Sequence, residues 1–425
     1  MLKSKNKILI TFILTLSIVL CTSSTIYASS SDKLPNTTSN QYPIVMVHGF
    51  MGWGNKELFG INYWGGFSSL KDHLSNEGYN VLTPTIGPIS SNWDRSCELY
   101  AYLKGGTVDY GEAHSKKHGH NRYGRTYPGA YPAIGSKSND GTIKKIHLIG
   151  HSMGGQTARV MTQLLEKGSI EEIESTTSNI SPLFKGGNSW VSSVTTLSTP
   201  HDGSPEAREQ TKILSYIEQI ITNVKSESGV ISRATSSFDY NLDQWGVSQN
   251  KSESFKNYTK IISPNDLLKI AKDFGALELT PEGSRDLNSW VSAQDNVYYF
   301  SLSCQDTHKS LLKNHQVPNL GMKQRFVKSS ISIGSYTSNN PGEVPITKDW
   351  WPNDGVVSVI SAKGPQEGSN DKIVSFNGVP QKGVWNYLGT RQSTDHLDII
   401  GRYECSPKLK NEYSQMAKIL TSLPN

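Results

Sequence analysis

Apolar positions in this chain gather in short continuous runs rather than in alternating patterns. Ile44-Val45-Met46-Val47 is the first, and it ends in His48-Gly49-Phe50-Met51-Gly52. Asn80-Val81-Leu82-Thr83 is a second, and residues 144–150 and 191–199 hold two more. Runs of this length suit strands buried on both faces. Helical stretches lie between them. The segment from Gln156 to Leu165, just after the third run, is rich in good helix formers. Strands alternating with helices predict an α/β fold with a mainly parallel central sheet and helices on both faces.

Two segments interrupt this rhythm. Residues 85–135 are rich in Gly, Tyr and His and carry little periodicity. That is far longer than an ordinary connection, so a functional or ligand-ordered segment is expected there. Residues 204–290 are the other. Ile213, Ile217, Ile220, Ile221 and Val224 make an apolar stripe at helical spacing. The stripe follows Thr199-Pro200-His201-Asp202-Gly203 at a strand end, where loops over a site tend to lie. It reads as a mobile amphipathic lid, about residues 204–235, or as an ordinary packed surface helix.

The chain opens with Lys3, Lys5 and Lys7, runs apolar from Ile8 to Leu20, and reaches small residues at Ile26-Tyr27-Ala28. This is the pattern of a secretory signal over residues 1–28, and the apolar run is short for a membrane span of about 20 residues. Leu20 before Cys21 does not suit lipidation. Export to the extracellular space is expected, with no stable transmembrane span in the mature form. Residues 29–41, rich in Ser, Thr and Asn, read as a flexible leader, with one domain from 42 to 425.

The formal charge of +5 loses its weight once the signal is set aside. Three of the 42 basic residues lie there and none of the 37 acidic ones, which leaves 39 against 37. No basic tract carries interleaved aromatics, so nucleic acid is excluded as an expected partner. Cys97, Cys304 and Cys405 are too few and too scattered for a disulfide framework, though one pair is compatible with the spacing. Nothing in the chain specifies an oligomeric state.

Gly150-His151-Ser152-Met153-Gly154 sits between the third strand and the helix after it. Glycine, serine and glycine at this spacing allow a strained strand-to-helix bend that lifts the Ser152 hydroxyl out of the fold as a nucleophile. An activated serine needs a base, and the base needs an orienting acid. In this architecture the order is Ser, then Asp or Glu, then His. Asp354, in Trp350-Trp351-Pro352-Asn353-Asp354-Gly355, and His396, in Asp395-His396-Leu397-Asp398, satisfy that order. Alone, each would read as a turn aspartate and a cap or core histidine; behind the elbow, they read as acid and base. Oxyanion donors are expected from the N–H of Met153 and from the loop after the first strand, at Phe50.

Asp94, His114, His118 and His120 supply carboxylate and imidazole donors that suit tetrahedral zinc. Such a run also occurs in metal-free loops, and spacing alone leaves both readings open. With a serine nucleophile supplying the chemistry, zinc here would be structural.

Several long blocks permit a resemblance to be drawn. They include VHGFMGWG (47–54), YWGG (63–66), HGHNRYGRTYPG (118–129), GHSMGGQTAR (150–159), VTTLSTPHDGS (194–204), LDQWG (242–246), KGVWN (382–386) and DHLD (395–398). The chain resembles the secreted zinc-containing triacylglycerol lipases of Gram-positive bacteria, the staphylococcal and thermophilic Bacillus type. The resemblance implies an α/β-hydrolase fold and hydrolysis of acylglycerol esters at an oil–water interface. It implies Ser152, Asp354 and His396 as triad, and Phe50 and Met153 as oxyanion donors. A zinc set of Asp94, His114, His120 and Asp273 follows by position, with His118 a spectator and the insertion covering about 85–135 and 230–290. The family also carries calcium near the histidine. Asp398 matches one carboxylate ligand, whereas Tyr403 stands at the other position, beside Glu404. A phospholipase or a short-chain carboxylesterase on the same triad is the alternative.

Overall fold

The computed structural model describes residues 40–54, 60–176, 179–209, 239–247, 266 and 269–424, all within one compact unit. The signal, the leader as far as residue 39, and the apolar stripe at 213–224 lie outside the described residues.

All four expected strands form: β1 (Ile44–Val47), β2 (Val81–Leu82), β5 (Ile146–His151) and β6 (Val191–Leu197). Between them a small hairpin, β3 (Gly106–Asp109) and β4 (Tyr123–Tyr127), stands apart from the main sheet. Further along come β7 (Tyr298–Gln305), the hairpin β8 (Thr307–Lys309) and β9 (Gln316–Pro318), then β10 (Ile373–Ser375) and β11 (Trp385–Gln392). The central sheet has seven strands in the order β10-β11-β7-β6-β5-β1-β2, every neighbour parallel. This is the α/β-hydrolase arrangement.

The helices that position the site are α1 (Asn92–Lys104), α2 (Glu112–His118), α3 (Met153–Lys167), α4 (Gln324–Ile333) and α5 (Pro407–Ser422). The core lies where α1 and α3 cover the sheet: Val45, Val47, Leu148, Leu99, Leu103, Val160 and Leu164 are all fully buried together. Each such side chain contributes about 1.5–3 kcal/mol by leaving water. No described helix is long and apolar enough to cross a membrane.

Two expectations need correction. Asn40, which composition places in the flexible leader, is buried. Its amide donates to the carbonyls of Leu420 and Leu423 at 3.0 and 2.9 Å, and its carbonyl oxygen meets His147 at 2.9 Å. These bonds tie the chain to the end of α5. Likewise, residues 85–135 are not an aperiodic connection throughout, because they contain α1. Ser91 caps that helix by accepting from the Asp94 N–H. Its buried residues include Asn92, Asp94, Arg95, Ser96 and Glu98, so it has no polar face to give an amphipathic period. Cys97, Cys304 and Cys405 are free thiols.

Candidate active site

Ser152 sits between β5 and α3 with φ at 55°, a left-handed conformation rare for a residue with a side chain. Neighbouring glycines make the bend possible. A Cβ on Gly154 would strike the carbonyl oxygens of Val47 and His48, and one on Gly150 would strike the backbone of Gly154 and Gly155. Strand and helix therefore approach more closely here than any other residue type would allow.

The Ser152 Oγ lies 3.0 Å from His396 Nε2, and His396 Nδ1 lies 2.8 Å from Asp354 Oδ2. The other Asp354 oxygen accepts from the N–H groups of Val356 and Val357 at 2.9 and 2.7 Å. The His396 N–H donates to the Asp354 carbonyl at 3.0 Å. Ring and carboxylate are thus fixed both through side chain and through backbone. A further carboxylate shapes the histidine loop: Asp395 accepts from the Leu397 and Asp398 N–H groups at 2.9 and 3.0 Å. The three residues expected as nucleophile, base and acid form one hydrogen-bonded line, although Asp354 lies 49 residues beyond the end of β7 at Gln305, and the Asp306 N–H bond to the Asn353 carbonyl at 2.9 Å closes that excursion.

Behind this line lies His151, which sequence reasoning did not assign a role. Its Nε2 is 2.8 Å from the His396 carbonyl and its Nδ1 is 2.6 Å from the Tyr63 hydroxyl. His201, the other histidine in a motif-like setting, stands elsewhere. It is a buried core residue with Nε2 3.0 Å from Thr196 Oγ1 and its ring against Trp385. Burial holds it well below the ordinary histidine pKa.

The loop after β1 passes beside the serine. A Cβ on Gly49 would lie 2.8 Å from Ser152 Cβ, so Phe50 and Met153 each adjoin that contact. Arg95 of α1, fully buried, anchors the loop by donating to the His48 carbonyl and, at 2.6 Å, to that of Gly87. Burial and the Arg95 charge push His48 down to about 3, so its imidazole is neutral.

A second cluster lies under the insertion. Asp94 of α1, His114 of α2, His120 and Asp273 present one ligand atom each, all within 4.8 Å of one another. His114 Nε2 is 3.2 Å from Asp94 Oδ1 and 3.0 Å from Asp273 Oδ2, and His120 Nε2 is 3.9 and 3.8 Å from the same oxygens. Four ligands around one zinc at about 2.0–2.1 Å would be roughly 3.4 Å apart, so the set is close to the needed size. His120 Nε2 is buried without a hydrogen-bond partner and Asp94 Oδ1 has only His114 at 3.2 Å, which is costly unless a cation faces them. His120 Nδ1 is 2.9 Å from the Asn121 carbonyl, which fixes the tautomer that leaves Nε2 as an acceptor. Burial opposes a charge on His114, yet Asp273 and Asp94 outweigh it and lift its pKa to about 10. The pocket is built for positive charge. His118 bonds instead to the Lys272 carbonyl at 2.9 Å and stays outside the set. These four residues form a possible metal-binding group compatible with zinc.

Around Asp398 the donors do not fit calcium, which takes six to eight oxygens. Lys323 Nζ stands 3.8 Å from Asp398 Oδ1 and 5.8 Å from the centre of the Tyr403 ring. The Tyr403 hydroxyl accepts from Arg325 at 3.2 Å. Lys323 and Arg325 thus bring positive charge to Asp398 and Tyr403, the positions where the resemblance implies calcium.

The chain matches known proteins over most of its length. The profile of the family described as "Lipase-like, C-terminal domain" matches residues 40–423. Lipase 1 of Staphylococcus aureus (strain MRSA252) is 40% identical over 370 residues, 85% of this chain and 51% of the relative. The chain thus spans about half the length of the curated relatives it matches. Among solved structures, EstA from Clostridium botulinum is 45% identical with a TM-score of 0.84, over 93% of this chain and 90% of that one. Lipase 1 from Pelosinus fermentans is 44% identical with a TM-score of 0.79, over 91% of this chain and all (100%) of that one. With that family's profile matched over residues 40–423, this chain belongs to the lipase-like C-terminal domain family.

Proposed function

We propose that the protein is a secreted serine esterase, a triacylglycerol lipase that hydrolyses acylglycerol esters through an acyl-enzyme on Ser152. The observation that carries the reading is the unbroken line from Ser152 Oγ through His396 to Asp354 on a strained elbow. His396 Nε2 takes the serine proton as Oγ attacks the ester carbonyl. Asp354 holds the Nδ1–H tautomer and stabilises the imidazolium. The N–H groups of Phe50 and Met153 receive the oxyanion, and losing one such donor typically costs about 3–4 kcal/mol of transition-state stabilisation. His396 then returns its proton to the leaving alcohol, and water repeats the cycle on the acyl-enzyme.

The names of the relatives, lipases among them, support acylglycerols over phospholipids or peptides as substrate. Export rests on the basic and then apolar segment at residues 3–28, outside the described residues. Asp94, His114, His120 and Asp273 would hold zinc, which would supply a structural crosslink between α1, α2 and the Asp273 segment.

Ser152→Ala tests the reading. The variant should fold as the parent does, lose hydrolysis of both emulsified triglyceride and dissolved ester, and resist labelling by a fluorophosphonate. Ester cleavage retained by that variant would overturn the assignment. Rapid release from dissolved short-chain ester alone would make the protein a carboxylesterase.

A further inference from the structure

The hairpin β8–β9 carries the most exposed large apolar side chains among the described residues. Leu311 and Leu312 at its tip are 100% and 96% exposed, and Leu320 just past β9 is fully exposed as well. Single exposed leucines are ordinary, but three within ten residues are not. The tip is nonetheless held in shape. Ser310 Oγ accepts from the N–H groups of Leu312 and Lys313, each at 3.2 Å, and the Ser310 N–H donates to the His315 carbonyl at 2.9 Å. An ordered turn thus displays two leucines to solvent.

Charge on this part of the chain has one sign. From Thr307 to Gly342 there are five basic residues, Lys309, Lys313, Lys323, Arg325 and Lys328, and no Asp or Glu. Lys309 and Lys313 flank the leucine tip and are exposed. The base of the hairpin is joined to the Ser152 site. The Asn353 N–H donates to Thr307 Oγ1 at 3.0 Å, next to Asp354, and the Lys323 N–H donates to Asp395 at 3.2 Å, next to His396. Phe326 of α4 also turns its ring edge toward His396.

We propose that the β8–β9 hairpin is an interfacial anchor that inserts Leu311 and Leu312 into an anionic lipid surface. Apolar side chains ringed by lysine are what such a surface retains: the leucines enter the acyl boundary while the lysines meet the anionic groups. The anchor lays the Asp354–His396 side of the site against the lipid. A hydrolysing lipid surface becomes anionic as fatty acid accumulates, so adsorption strengthens as product forms. The inference deepens the lipid-ester reading and rests on it for the substrate.

Adsorption can be measured without turnover by using the Ser152→Ala protein. Its partition onto sedimenting phosphatidylcholine vesicles, with and without phosphatidylglycerol, is compared with that of the same protein carrying Leu311→Ser and Leu312→Ser. We expect the serine substitutions to lower partition onto the anionic vesicles about tenfold. In the Ser152 parent they should leave the thermal midpoint and kcat/KM on dissolved short-chain ester unchanged. Lys309→Gln with Lys313→Gln should remove the preference for phosphatidylglycerol and its salt sensitivity. Unchanged adsorption of the double serine variant overturns the proposal. So does a change from dimer to monomer in that variant with adsorption intact, which would make the hairpin a contact between copies. A parent that adsorbs through the hairpin but cleaves no ester would support the anchor and defeat the esterase reading, so the two fail separately.

Discussion

The Tyr63 hydroxyl stands 2.6 Å from His151 Nδ1, and through that bond three loops of the site share one hydrogen-bond chain. The Gly49 N–H donates to the Tyr63 oxygen at 2.9 Å, so the tyrosine spends its own proton on His151. His151, accepting at Nδ1, then carries hydrogen on Nε2 and donates to the His396 carbonyl at 2.8 Å. Burial raises the Tyr63 pKa and drives that of His151 well below the ordinary value, so both groups are neutral and the direction of the chain is fixed. The loop carrying Phe50, the elbow carrying Ser152 and the loop carrying His396 are thereby held in register.

Tyr63→Phe should expose that role. The substitution leaves the Gly49 N–H and His151 Nδ1 unpartnered in a buried setting, at about 1–3 kcal/mol of stability. Because both lie next to residues proposed to act on substrate, kcat on dissolved ester should fall about tenfold with KM little changed. Steady-state kinetics and thermal unfolding on the same preparation separate the two effects. A lower midpoint with kcat intact would make Tyr63 structural only.

The same bonds explain what the sequence made legible. Ser152, Asp354 and His396 could be read because the elbow is a local pattern and the order of its partners along the chain is constrained by topology. Tyr63 could not, because its partner lies 88 residues away and no spacing encodes a hydrogen bond across such a separation. Asp273 had no signal of its own and was reached through resemblance alone. Helix α1 escapes periodicity for a different reason: arginine and glutamate are ordinarily exposed, yet Arg95 and Glu98 are both buried, one holding the carbonyls of His48 and Gly87 and the other accepting from the Gly87 N–H. Periodicity finds a helix by its contrast between faces, and this helix has little.

Acid stability should follow two opposed groups of buried residues. Burial pushes His147 and His48 from 6.5 down to about 3. Between those values the unfolded chain binds protons that the folded one refuses, so their contribution is full above pH 6.5 and lost as pH falls toward 3. Burial likewise pushes Asp202 and Glu98 up to about 7. Here the folded chain binds the extra proton, so acidification from pH 7 to the ordinary carboxylate range stabilises. His151 and His201 are depressed in the same way and Glu278 is raised to about 7, so the carboxylates offset only part of the histidine loss. Stability should therefore fall gently from pH 7 to about 4.5 and more steeply below, by about 1.4 kcal/mol per pH unit for each histidine. His147→Gln should remove one histidine's share of that slope in urea unfolding. An unaltered slope would count against the assignment.

Calcium should have no effect on the parent. With Lys323 Nζ near Asp398 and the Tyr403 hydroxyl bonded to Arg325, neither calcium nor its chelator should move the thermal midpoint or the rate on dissolved ester. Replacing Lys323 by Ala and Tyr403 by Asp together removes the resident cation and restores a carboxylate. That double variant should be less stable without calcium and gain stability as calcium is added. A calcium-dependent midpoint in the parent would show that the site binds the ion despite its lysine.

Removal of the proposed zinc should affect catalysis as well as stability. Asp273, a member of the candidate zinc set, is followed by Phe274, whose ring packs edge-on against Phe50 at 5.6 Å. Gly275 comes next. Its N–H donates to the Ile89 carbonyl at 2.9 Å, and a Cβ there would lie 3.1 Å from the Met153 sulfur. The two residues after this candidate ligand thus lie against both proposed oxyanion donors. Without a metal, His114 is the one histidine within 3.2 Å of both Asp94 and Asp273, and His120 Nε2 keeps no hydrogen-bond partner. The protein as purified should contain about one zinc per chain by elemental analysis. Chelation should lower the thermal midpoint by several degrees, since about 1 kcal/mol corresponds to roughly 2–4 °C in a domain of 150–250 residues and somewhat less in a larger one. At temperatures well below that midpoint, kcat on dissolved ester should still drop about tenfold and return when zinc is restored. His114→Ala should reproduce the chelated state and be indifferent to chelator. A fall in midpoint with kcat unchanged would separate the metal from the oxyanion donors and leave it a crosslink of α1 and α2 alone.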